Sequence, residues 1–144
     1  MMRSLAVMSL AAVGLLPPAA LAQNGQTGIA FAYAPEQGSG MCTGGKPTAA
    51  LDCARKECAE TSDAIPEDCA RVAWCFPAGW SVVVSVMHNE GIHWSEFSCG
   101  WPSREAAIAA GKLLCNLRSR DHIQDCIVGG LWDERGVEIS LESE

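Results

Sequence analysis

Residues 48–58 read TAALDCARKEC, and residues 103–117 read SREAAIAAGKLLCNL. Both place small side chains every four positions: Ala50, Ala54 and Cys58 in the first, Ala107, Gly111 and Cys115 in the second. Side chains four apart stack on one face of a helix. Each segment therefore predicts a helix with a thin face that can approach a sheet, or the sister helix, closely. Ser103, following Pro102, is a good N-cap, with Glu105 in the first turn.

The second segment repeats the first. A shift of 57 residues lays Cys42 on Cys99, Cys58 on Cys115 and Cys69 on Cys126, and carries Asp68 onto Asp125 and Gly79 onto Gly136. Three cysteines matched at one offset imply two copies of one unit, residues 23–79 and 80–139. Ahead of the second helix, residues 80–88 (WSVVVSVMH) alternate, with Val82, Val84 and Val86 on one face of a strand. Residues 89–91 form a turn and 92–98 a returning strand. The first copy offers residues 28–34, a turn at 35–38 and a shorter return. After each helix come a polar loop, a cysteine and an apolar stretch, 70–76 and 127–132. The expected fold is α+β: a small disulfide-stapled domain of two pseudo-repeated β-β-α-β units.

With 144 residues, 49% of them hydrophobic and 19% charged, the chain fits one packed globule rather than a disordered tail. Its 8 cysteines are too dense for a reducing compartment. Met1-Met2-Arg3, the apolar run 5–16, Pro17-Pro18 and Ala20-Leu21-Ala22 together read as a signal peptide, residues 1–22, cleaved near Ala22. The expected location is periplasmic or secreted. Gln23, not a cysteine, stands first after the cleavage site, so a lipid anchor is not indicated, and no later segment is apolar enough to span a membrane. Cleavage removes one cation, Arg3, and no acid, taking the net charge from −7 to −8. That field disfavours nucleic acid and anionic membrane surfaces as partners. Residues 140–144 read as an acidic tail.

Eight cysteines allow on the order of a hundred pairings. The repeat selects Cys58–Cys69 and Cys115–Cys126 as equivalent bridges. Cys53 and Cys75 face Ala110 and Trp132 in the second copy, a small residue against a large one, which suggests that they touch and predicts Cys53–Cys75. Cys42–Cys99 then remains as a bridge across a pseudo-two-fold axis. No C-x-x-C pair, phosphate loop, G-x-S-x-G elbow or H-E-x-x-H motif is present, so redox, zinc and hydrolase signatures are missing. No cofactor and no resident metal are expected.

The densest candidate surface is residues 88–96, HNEGIHWSE, where His88, Glu90, His93 and Glu96 place two imidazoles and two carboxylates near one hairpin turn. Trp94 and Trp101 flank it as candidate anchors for a partner, while Trp74 and Trp132 sit in apolar strands as core. Asp133-Glu134 and Glu67-Asp68 read as surface charge, and His122 as a solvated loop residue.

On Ala50, Ala54, Cys58 and Cys69, then Ser103, Ala107, Gly111, Cys115 and Cys126, the chain resembles a family of small exported bacterial domains of unknown function. Their repeated units carry a small-residue helix ending in Cys, followed by a second Cys opening a strand. The resemblance covers most of residues 28–132, with departures in a longer gap between the paired cysteines and in the extra Cys53 and Cys75. It implies a protein of the bacterial envelope and brings no catalytic residues with it. The leading expectation is a non-enzymatic, disulfide-rich binding or accessory module presenting the 88–96 hairpin to an envelope or extracellular protein. One alternative is a glycan or peptide hydrolase using Glu90 or Glu96, with a metal on His88 and His93. The other is a structural subunit of an envelope complex.

Overall fold

The computed structural model describes residues 26–118 and 121–141. The expected signal peptide, residues 1–22, lies outside them, as does the end of the acidic tail. The first unit runs β1 (Gly28–Ala34), β2 (Gly38–Gly44), α1 (Pro47–Glu60) and β3 (Ala70–Cys75). The second runs β4 (Trp80–His88), β5 (His93–Trp101), α2 (Arg104–Arg118) and β6 (Ile123–Trp132). Each unit folds its three strands into an antiparallel sheet with the first strand central: β2-β1-β3 in one, β5-β4-β6 in the other. The two β-β-α-β units therefore share element order and topology.

The layers are helix, sheet, sheet, helix. Ala50, Ala54 and Cys58 of α1 bury against Ala30, Ala32, Ala34 and Cys42 on the outer face of the first sheet. The small-residue stripe serves this contact and not a helix–helix one. At Gly40 of β2 the helix comes so close that a Cβ would lie 2.2 Å from the Ala54 carbonyl oxygen. Across the molecule, Ala107 of α2 packs on Val82 and Leu131, with Trp80 and Trp101 beside them. Ser103 caps α2 as expected, its Oγ accepting from the Ala106 amide at 3.2 Å. The Glu105 amide and the Ser103 hydroxyl hold the Glu105 carboxyl below its usual range.

Between the sheets, Ile29, Phe31, Met41 and Cys75 from the first meet Phe97, Cys99 and Trp132 from the second. Phe31 lies 5.1 Å from Phe97 and 5.3 Å from Trp132 between ring centroids.

All eight cysteines are paired: Cys42–Cys53, Cys58–Cys69, Cys75–Cys99 and Cys115–Cys126. The two repeat-equivalent bridges are those expected. Cys53–Cys75 and Cys42–Cys99 are not formed, and strand parity is the reason. Cys42 sits on the α1 side of its sheet and reaches Cys53 on that helix. Cys99 sits on the opposite, inter-sheet side of its own, where Cys75 is the partner. Ser98, paired with Val82 on the α2 side, takes the face that Cys42 takes in the first unit. A slip of one residue in a strand sends a side chain to the other face.

The units also differ in reach. β4, β5 and β6 have 9, 9 and 10 residues, against 7, 7 and 6 for β1, β2 and β3. β6 opens at Ile123, so Cys126 lies inside that strand, paired with Val86, and does not precede it. The second sheet overhangs the first at its hairpin end.

Candidate functional site

The register separates the residues of the 88–96 hairpin. His93 pairs with Met87 and shares its face, so His88, the next residue of the strand, points to the other side. His88 instead meets His122, at 5.3 Å between ring centroids, and its Nδ1 accepts the Glu90 amide at 3.1 Å. The Glu90 carboxylate stands 3.7 Å from the same nitrogen. His122 thus has a neighbour that its loop position did not suggest. His88 and His93 do not converge on one metal position, and among the described residues no three His, Cys, Asp or Glu side chains do.

Trp94, Glu96 and Trp101 occupy the α2 side of β5. The Trp94 indole donates to Glu96 Oε1 at 3.0 Å, and the Trp101 indole to Ser98 Oγ at 2.9 Å. Trp101 packs on the core under α2, so its ring supports the fold. The six hairpin candidates therefore divide among the tip, the helix side and the inter-sheet side.

His93 is the one that faces a hollow. The sheets are bonded together where β3 meets β5, at Cys75–Cys99, and they part where β2 faces β6. The gap is a cavity of about 490 Å³. Phe31, Met41, Val83 and Trp132 form its apolar wall, while Ser39, Ser85 and Ser95 supply hydroxyls. Gly129 and Gly130 keep it open: a Cβ would stand 2.7 Å from Ser85 Oγ at Gly129, and 2.9 Å from the Trp132 ring at Gly130. Glu57 and Glu138 stand at the cavity's sides. α1 brings Glu57 there because Gly40 lets the helix settle onto the edge strand.

Two smaller hollows continue this cavity. One, about 190 Å³, shares Ser85 with it and lies on the overhang, among Met87, His93, Asp125 and Ile127. The other, about 210 Å³, shares Ser39 and Ser95 and runs to Tyr33 and Glu36 at the tip of the first hairpin. Together they make a groove rather than a pit. Met87 and Ile127 are exposed apolar side chains along it.

Glu138 is placed by a turn that the charge pattern concealed. Asp133, read from sequence as surface charge, is buried. Its Oδ1 accepts from the Arg135 and Val137 amides, both at 2.9 Å, and its Oδ2 from the Arg135 guanidinium at 2.7 and 2.9 Å. Burial alone raises its pKa, but these donors outweigh burial and hold the carboxyl below its ordinary value. The chain then doubles back, with Glu138 bridged to Trp132 and the Ile139 amide donating to the Leu131 carbonyl at 2.8 Å.

The signal for this groove was the inner-face alternation Ser81, Val83, Ser85 with Gly129-Gly130, a pattern of small residues without a motif. Comparison with family models, curated proteins and solved structures finds no match for this chain. Four disulfides fit an extracellular or periplasmic location, and among the described residues no helix is long and apolar enough to cross a membrane.

Proposed function

We propose that this protein is an exported binding module of the bacterial envelope, acting without catalysis, and that it holds an extended segment of another protein in the inter-sheet groove. The continuity of the groove carries the reading: three hollows joined through Ser39, Ser85, Ser95 and His93 suit a chain laid lengthwise better than a compact metabolite. Two of its walls are edge strands, β2 and β6, the latter covered at Leu131 and Trp132 by the returning 138–139 segment. An edge strand offers main-chain donors and acceptors to an added strand, and pockets on alternate positions select side chains. The disulfides favour affinity by keeping the groove formed before the ligand arrives.

Selection of random peptides by the oxidised protein, followed by amide-shift mapping, tests this. Selected peptides are expected to move the signals of Ser85, Gly129, Gly130 and the Trp132 indole, and to leave Leu113 on α2 unmoved. Failure to select any peptide, or shifts confined to the helices, overturns it.

A further inference from the structure

The groove has a chemical preference written in its lining. Its main cavity is lined by the exposed acids Glu57 and Glu138 as well as by Phe31 and Trp132. The flanking hollows add Asp125 and Glu36. Among the side chains lining the three hollows there is no Lys or Arg, and His93 is the sole imidazole. The chain as a whole carries −7. Carboxylates beside an indole form an environment for a cation: the ring face attracts it, the carboxylates pair with it, and the serine hydroxyls accept its N–H groups.

The Ser81 hydroxyl is fully buried and has no partner among the described residues. Ser81 pairs with Trp132 on the inter-sheet face, next to the cavity wall.

We infer that the ligand segment is basic, and that the main cavity takes an arginine side chain between the Trp132 ring and the Glu57 and Glu138 carboxylates. This rests on the peptide-groove reading and adds the charge of the ligand to it. An Arg stem buries apolar surface against Phe31 and Met41 while its planar head reaches both carboxylates. The acidic lining also disfavours acidic segments, which makes the preference one of selection and not of affinity alone.

Three blocked hexapeptides of one sequence, alternating valine with arginine, with citrulline or with glutamate, are the probes. Citrulline keeps the length and planar shape of arginine, removes its charge and exchanges two of its five N–H donors for a carbonyl acceptor. Titration into isotope-labelled oxidised protein is expected to give saturable shifts at Gly129, Gly130 and the Trp132 indole with the arginine peptide. The citrulline peptide should bind about tenfold more weakly, and the glutamate peptide more weakly still. The paired substitution Glu57→Gln and Glu138→Gln, at two exposed positions, should narrow the arginine–citrulline gap to about threefold or less with the melting temperature unchanged. Raising salt should weaken only the arginine peptide. Equal binding of all three peptides in the groove overturns the charge preference and leaves the groove reading standing. Binding of none overturns the groove reading itself. Arginine-dependent binding that survives the paired substitution undiminished overturns the assignment of Glu57 and Glu138.

Discussion

Cys75 is bonded to Cys99, and of the four disulfides this is the one that joins the two units. The other three each close a separation of 11 residues inside one unit. Apolar packing around Phe31, Phe97 and Trp132, and a hydrogen bond from the Gly100 amide to the Ala78 carbonyl at 3.0 Å, also join the two units.

Replacing both Cys75 and Cys99 by Ser is therefore expected to lower stability by about 3–4 kcal/mol, through a denatured chain freed of a 24-residue constraint. Calorimetry should show a melting temperature lower by roughly 10 °C. Amide exchange should rise first at Ile29, Phe31 and Phe97, with the two helices protected for longer. An unchanged melting temperature would mean that the aromatic packing alone sets the inter-sheet contact.

Gly40 and Gly91 separate two reasons for a glycine. At Gly40 a Cβ meets backbone, the Ala54 carbonyl oxygen at 2.2 Å and the Cys58 nitrogen at 2.3 Å, and neither can swing aside. Gly91 has nothing within 4 Å but holds φ at +89°. Gly40→Ala is expected to cost about 3 kcal/mol or more by forcing α1 off its sheet, and Gly91→Ala about 1–2 kcal/mol from backbone strain. Urea denaturation of the two variants ranks them; the reverse order would contradict the packing of α1.

Asp133 links stability to pH. Its folded-state pKa lies below the ordinary 3.8, so the charged form favours folding. That contribution is complete above the ordinary value and disappears as pH falls through the lower, folded-state value. Asp133→Asn should be less stable than the parent at pH 6, and the gap should close as pH falls below the ordinary carboxylate range. Acid titration followed by tryptophan fluorescence reads the gap; a constant difference across that range would remove the carboxylate from the account.

Ser81 offers a substitution expected to do no harm. A hydroxyl buried without a partner costs about 1–3 kcal/mol to desolvate, and alanine fits the same space without that cost. Ser81→Ala should hold or raise the melting temperature by a few degrees. A fall equivalent to more than about 1 kcal/mol would show that the hydroxyl has a partner when folded.

Much of the fold was legible because it rests on local patterns. The stripe of Ala50, Ala54 and Cys58 marked a helix, the alternation of Val82, Val84 and Val86 marked a strand, and the 57-residue offset marked the repeat. Parity was not legible. Cys42 and Cys99 match in sequence, yet the irregular pairing between Trp80 and Val82 puts them on opposite faces of their sheets. The same parity divides His88 from His93, which proximity in sequence had joined. The groove was hidden for another reason: it is assembled from β1, β2, α1, β4, β5 and β6, each of which contributes only one or a few of its lining residues. Asp133 shows the converse, an acid in a charged stretch that the turn turns inward.

The unequal length of the two sheets has a consequence for how this protein can change. The overhang of the second sheet carries Met87, Ile92, His93 and Ile127 beyond the buried side chains that hold the molecule together, with Ile92 and Ile127 more than half exposed. Substitutions there leave the helix–sheet contacts and all four disulfides untouched. A library randomised at these four positions should yield mostly folded proteins, whereas one randomised at Ala30, Ala54, Val82 and Leu131 should yield few that fold. The longer copy is the part in which the sequence can vary without loss of the fold.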